Sequence, residues 1–368
     1  MWPHSLADPR QKIAAALDAD PERVRIEHGE TDLSGWVWRC TGSCGTLQFF
    51  AKVYLLDFNP PIRRIPAFVV PWEELRLLRQ EALPFGGQVE SEWNAITRLN
   101  RLIPDHRIPA PMGKSVEHGT LVFEAVSGTR MDHRVHWAGW SRTRARSNAR
   151  VVFEAGTWLR RVHEATFERT ESVDVREVAR TIQQILRIQG VEHTRYGGLA
   201  LRSFASVSAD LASRGKLDVP LCLQHGDFTL PNLIWDDRVQ RLWIIDLEHS
   251  RPATVLQDLA SLILNLRSRY VYPFTSRSVV MALEDAFWNG YGETPRETRA
   301  LANAIATACI FYKLLPKLLT RGARRGRLAG LAAAIYRSAI EPSIVRRILA
   351  NSRPPVSAPC PQAALVAD

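Results

Sequence analysis

The chain has 368 residues, enough for two domains or one two-lobed unit with a sizeable core. Hydrophobic residues make up 46% and charged residues 23%, which excludes a disordered or fibrous polymer. The formal net charge is +10, and between 301 and 368 ten Lys/Arg stand against only Glu341 and Asp368. Such a stretch attracts polyanions and anionic lipid headgroups, although a solvated face is its commoner meaning.

The elements read in order as follows. DPRQKIAAAL (8–17) is a short helix with Pro9 in its first turn. RVRIEHG, GWVWRCT and TLQFFAKVYLL are aromatic and β-branched, separated by Gly/Ser/Thr turns, and predict a β-meander. DFNPPIRRIPAFVV (57–70) carries three prolines and reads as a loop. Two helices follow: PWEELRLLRQEAL, with Glu73 and Glu74 in its first turn, and VESEWNAITRLNRLI, with Trp93, Ile96, Leu99 and Ile103 on one face and Glu92 beside it. SVEHGTLVFEAVSG gives two strands around His118 and Gly119, ending at a hinge-like Gly128. From about 147 the pattern is mostly helical, broken by strands at LCLQH, NLIW and LWIID, and the Pro-rich tail 351–368 reads as disordered.

Five cysteines, an odd number and mostly far apart, argue against a disulfide framework and for a reducing compartment. The start MWPHSLADPRQK has no secretory pattern, and the longest apolar runs, such as LANAIATACIFY, fall short of the ~20 residues of a membrane span. A cytoplasmic protein is expected, with peripheral membrane contact through the basic C-terminal region left open and no nucleic acid partner.

The chemistry concentrates in QHGDFTLPNLIWDDRVQRLWIID (224–246). Here Asp227, Asn232 and Asp246 lie among apolar strand residues, where an unpaired carboxylate is costly to desolvate. Two strands joined by a turn around Asp236–Asp237 would set Asn232 and Asp246 side by side at one sheet edge. Oxygen ligands this sparse suit Mg²⁺, which keeps much of its water and shares phosphate oxygens, so a nucleotide is implied. Asp227 is then left to accept a proton from an attacking hydroxyl. Taken singly, Asp227 reads as a turn residue; the spacing of Asn232, Asp246, Glu248 and Asp258 is what favours catalysis. Lys52, flanked by apolar residues at a strand centre, also points to function, because lysine is seldom buried unpaired.

The forms HGDFTLPN, IIDLE and QDLASLI resemble the aminoglycoside phosphotransferase and choline kinase branch of the protein-kinase-like fold. The resemblance spans about 30–262. It implies an α+β, bilobed protein-kinase-like fold, with a small antiparallel β-sheet N-lobe over 1–124 and a larger, mostly helical C-lobe over 125–350. It also implies Asp227 as catalytic base, Asn232 and Asp246 on Mg²⁺, His225 bracing the loop and Asp258 supporting it from a helix. Lys52 would orient the nucleotide phosphates, Glu92 would pair with it, and backbone groups from Glu124 to Val126 would meet adenine. His163 occupies the family's helix-end Leu-x-x-Leu-His place.

The chain departs from the pattern at two points. The loop GETDLSG lacks a full glycine-rich motif, so phosphate contacts would come from backbone N–H groups near Ser34 and Gly35. The 40-residue gap between Lys52 and Glu92 implies an insertion around 57–88 and leaves Glu90 and Glu81 as alternative partners. The expected activity is ATP- or GTP-dependent phosphoryl transfer to a small-molecule hydroxyl (aminoglycoside, amino alcohol or sugar-like). The alternatives are a kinase for a lipid-linked or polysaccharide sugar at the membrane surface, and a nucleotide-binding regulatory module without turnover.

Overall fold

Helix α1 (Pro9–Leu17) starts where Asp8 caps it, the carboxylate accepting from the Arg10 N–H at 3.0 Å, and stops where Asp18 turns left-handed. It covers one face of a five-stranded antiparallel sheet, ordered β1 (Val24–Thr31), β2 (Gly35–Gly42), β3 (Gln48–Tyr54), β5 (Thr120–Glu124), β4 (Pro111–Ser115). The computed structural model describes residues 8–31, 35–42, 48–54, 85–105, 107–136, 142–180, 205, 209, 213, 215–271 and 276–307. The proline-rich loop, the helix opened by Pro71, Glu81, Ser34, the tail and the basic stretch beyond 307 lie outside these residues.

Strand periodicity sorts β3. Phe49, Ala51 and Val53 join Ile13, Ala14 and Ala16 in a core beneath α1, while Lys52 and Tyr54 point to the other face. That second face meets α2 (Phe85–Leu102), which begins earlier than its apolar pattern predicts and runs through Gly86 and Gly87. On α2, Val89 packs with Tyr54 and Leu121, whereas Ala95, Ile96 and Leu99, with Ile103 just beyond, belong to the large core of the second lobe. The helix therefore ties the sheet to the second lobe.

That lobe is built from α3 (Met131–His136), α4 (Arg142–Ala165), α5 (Leu256–Arg267) and α6 (Arg277–Tyr291), with helical residues also at 175–180 and 296–307. Two small antiparallel sheets complete it. One is ordered β10 (Arg241–Ile244), β9 (Leu233–Asp236), β6 (Thr129–Arg130), the other β11 (Arg251–Thr254), β8 (Lys216–Gln224), β7 (Arg169–Asp174). Sequence periodicity misses β7 because RTESVD alternates only weakly, and it misses β11 because RPAT is short and carries proline. Both are the outer strands of their sheet, where such residues are tolerated.

Helices α4 and α6 approach closely at two glycines: a Cβ on Gly156 would lie 2.4 Å from the Phe287 carbonyl oxygen, and one on Gly290 2.0 Å from that of Phe153. Within the core, Trp158 stacks on Phe228 at 5.9 Å, which anchors the loop carrying Asp227 to α4. Trp235 and Trp243 are buried too, as their strand positions predict. Among the described residues no helix is long and apolar enough to cross a membrane.

Candidate active site

Lys52 is buried, and its ammonium donates to three carboxylates: Asp246 Oδ1 at 2.6 Å, Glu248 Oε2 at 2.8 Å and Glu92 Oε2 at 3.3 Å. Of the candidate partners it is Glu92 that meets the lysine, while Glu90 turns to Lys114 at 2.8 Å. The long sequence gap is no obstacle, because α2 brings Glu92 beneath β3. Burial works against a charged lysine, but Asp246, Glu248 and Glu92 outweigh it and hold its pKa well above the ordinary value. Glu248 is pushed upward by burial yet ends well below the usual carboxylate range, drawn down by Lys52 and His249.

Glu92 connects three segments. It accepts from Lys52 and the Tyr54 hydroxyl through Oε2, and its Oε1 takes the Leu247 N–H at 3.0 Å. Burial and the Glu92 carboxylate raise the Tyr54 pKa well above its ordinary value, so the phenol keeps its proton and donates. Tyr54 was not anticipated, although it lies two residues beyond Lys52 on the same strand face. The link between Lys52 and Glu248 was not anticipated either.

The loop after β8 shows Asp227 half-buried, with the Asn232 amide donating to its carbonyl at 2.9 Å and its Oδ2 at 3.0 Å. The predicted hairpin forms: Ile244 pairs with Leu233, and the Ile245 N–H donates to the Asn232 carbonyl, so Asp246 follows directly on the residue opposite Asn232. Asp246 sits at φ +68°, a left-handed turn that breaks the strand and directs its carboxylate toward Lys52. Asp236, read as a turn residue, accepts the Arg238 N–H at 2.8 Å and the Ser127 hydroxyl at 2.5 Å.

The supporting residues converge. Asp258 is fully buried and accepts the N–H groups of His225 at 2.7 Å and Gly226 at 2.9 Å. His225 Nδ1 accepts the Asp227 N–H at 3.3 Å, so its Nε2 carries the proton toward the Ile245 carbonyl at 3.0 Å. The structure gives His163 more than a helix-end role. It is buried, with Nε2 3.2 Å from Asp258 and Nδ1 2.9 Å from the hydroxyl of Tyr291, a residue with no recognisable sequence signal. Burial pushes the Asp258 pKa up, but His163 and His225 more than reverse this and leave it below the ordinary value.

Gly35 opens β2 opposite Tyr54, two residues along β3 from Lys52. The Glu124 N–H is taken by the Ala110 carbonyl at 2.9 Å, so of its backbone groups the carbonyl is the one to consider toward a base. Val126 follows in the connection to β6, half-buried. One carboxylate oxygen from each of Glu92, Asp246 and Glu248 lies within 4.8 Å of the others. Three carboxylates around one ammonium leave surplus negative charge. The Asn232 nitrogen is committed to Asp227, which leaves its amide oxygen as a further hard donor. Such a donor set fits a divalent cation.

The chain is similar to solved structures of several small-molecule kinases. A glucosamine kinase in complex with glucosamine, ADP and inorganic phosphate is 14% identical with a TM-score of 0.54, covering 92% of this chain and 87% of its own. An aminoglycoside-3'-phosphotransferase of type VIII is 18% identical (TM-score 0.43, covering 78% and 94%). A choline kinase from Streptococcus pneumoniae is 14% identical (TM-score 0.44, covering 93% and 98%). No curated protein matches the chain. The glucosamine kinase likeness supports a bilobed, kinase-like α+β fold. A family model described as "Phosphotransferase enzyme family" matches residues 75–301, from ahead of α2 to the last described helix, and so takes in the whole Asp227–Asp258 constellation. With well over half of its length matched, the chain belongs to the phosphotransferase enzyme family.

Proposed function

We propose that the protein transfers the γ-phosphate of ATP, or of GTP, to a hydroxyl of a small polar molecule of the aminoglycoside, amino alcohol or sugar-like kind. The observation that carries this reading is the Lys52 ammonium joined to Glu92, Asp246 and Glu248, beside a loop that presents Asp227 and Asn232. Family membership and the ADP-bound glucosamine kinase support it.

In this reading Lys52 orients the donor phosphates, and Glu92, fixed by Tyr54 and Leu247, keeps Lys52 in place. Backbone groups at Gly35 would cover the phosphates, and those of Glu124 to Val126 would meet the base. Asn232 and Asp246 would hold Mg²⁺, with Glu248 beside them. When bound, the metal neutralises charge on the phosphate oxygens. Asp227 takes the proton of the acceptor hydroxyl as the new oxygen–phosphorus bond forms and the bond to the leaving nucleoside diphosphate breaks. His225 and Asp258 hold the loop in shape. Positioning and charge carry such a transfer, and the protein forms no covalent bond to the phosphoryl group. The boundary between the nucleotide lobe and the catalytic lobe falls at 124/125 in this reading.

A screen of sugars, amino alcohols, aminoglycosides, macrolides and nucleosides as acceptors, with ATP and with GTP, tests it. Asp227→Asn should lower turnover about 10²- to 10⁴-fold, the usual range for general-base removal, and leave nucleotide affinity and the fold intact. Undiminished transfer by Asp227→Asn would overturn the mechanism.

A further inference from the structure

The peptide group joining Gly226 to Asp227 is held at both ends. Its carbonyl accepts from Gln257 Nε2 at 2.5 Å, and its N–H donates to His225 Nδ1 at 3.3 Å. Gly226 sits at φ +86°, and a Cβ there would lie 2.2 Å from the His249 carbonyl oxygen, so the position requires glycine. Glycine also leaves the adjoining peptide plane the most freedom to rotate. Rotation of that plane would swing the Asp227 side chain, so the geometry needs an external lock.

Gln257 is built for that task. It is buried at the start of α5, and its Oε1 accepts from Gln224 Nε2 at 2.9 Å and, more weakly, from Arg251 Nη2 at 3.5 Å. With the oxygen committed to donors, the amide nitrogen is the atom turned to Gly226. Gln224 is itself fully buried and leaves its own Oε1 without a hydrogen-bond partner among the described residues. An unpaired buried amide oxygen is costly, and that cost is incurred where Gln224 commits its nitrogen to orienting Gln257. The neighbouring Asp258 holds the N–H groups of His225 and Gly226. Residues 257 and 258 thus divide the loop backbone between them, carbonyl to one and N–H groups to the other.

We infer that Gln257 is a positioning residue for phosphoryl transfer, locking the 226–227 peptide so that the Asp227 carboxylate stays aimed at the acceptor hydroxyl. This rests on the role proposed above for Asp227.

The test uses the full-length chain with MgATP and water as the acceptor, comparing wild type, Gln257→Leu, Gln257→Asn and Asp227→Asn. Gln257→Asn keeps a polar amide one methylene too short to reach Gly226, and serves if the leucine variant folds poorly. The expected result is a fall in kcat of about 10- to 100-fold, as a misplacement of ~1 Å produces, with KM and Kd for MgATP near wild type. Amide exchange in the 224–232 segment should quicken while protection in α4 and α6 is retained. A purely structural role would instead lower protection everywhere and reduce kcat only in proportion to the folded fraction. That outcome, or wild-type kcat with unchanged exchange at 224–232, would overturn the inference. If Asp227→Asn hydrolyses MgATP like wild type, the reading of Asp227 fails by itself, and the exchange data still decide whether Gln257 locks the loop.

Discussion

Asp258 shows how one side chain in this protein serves both stability and the site. Its carboxylate is removed from water, yet it receives two backbone N–H groups and the His163 imidazole, and the balance lowers its pKa below the ordinary value. The unfolded chain, with an aspartate near pH 4, therefore binds a proton before the folded one does. The stabilisation is present at neutral pH and is lost as pH falls from about 4 toward the lower folded value. Asp258→Asn should lower the urea midpoint at pH 7 and flatten the decline between pH 5 and 3; an unchanged acid profile would show that another carboxylate governs it. Glu248 is depressed as well and contributes in the same direction.

At the scale of elements, two helices carry the back of the site: α4 bears His163 and α6 bears Tyr291. Their separation is set by Gly156 and Gly290, whose missing side chains let each backbone touch the other helix. Gly290→Ala would gain up to about 1 kcal/mol of helix propensity but force a Cβ to within 2.0 Å of the Phe153 carbonyl oxygen. Overpacking of that kind costs about 1–3 kcal/mol, so a net loss in ΔG of unfolding is expected from equilibrium denaturation. A stabilised variant would mean that the helices shift apart freely, and in that case the hydrogen bond between Tyr291 and His163 would also be lost.

At the scale of the whole molecule, the buried ion cluster joins the sheet to the second lobe. Lys52 and Tyr54 come from β3, Glu92 from α2, and Asp246 to Glu248 from the stretch after β10. A ligand bound by both lobes should stabilise them together. At a concentration 100 times its Kd, MgATP would add about 2.7 kcal/mol, a rise in Tm of several degrees. With EDTA in place of Mg²⁺ the rise should shrink. An identical shift without the metal would count against Asn232 and Asp246 as its ligands.

Much of this was legible in the chain alone. The meander, α1 and the helical character of the second lobe follow from periodicity, turn residues and caps, which act over a few neighbours. The relation of Asn232 to Asp246 was readable because a short hairpin fixes it locally. Glu92 was legible as the partner of Lys52 only with Glu90 and Glu81 as alternatives, because the choice depends on which face of α2 turns to β3 across the insertion. Tyr54, Tyr291 and Gln257 were hidden, since tyrosine and glutamine carry no charge whose burial needs explaining. Their importance appears only when a carboxylate, an imidazole and a peptide carbonyl, distant in sequence, are brought within hydrogen-bonding distance. Local sequence determined which elements form and where the reactive residues stand along them; tertiary packing alone decided the partners, because burial turns a polar side chain into one that must be paired.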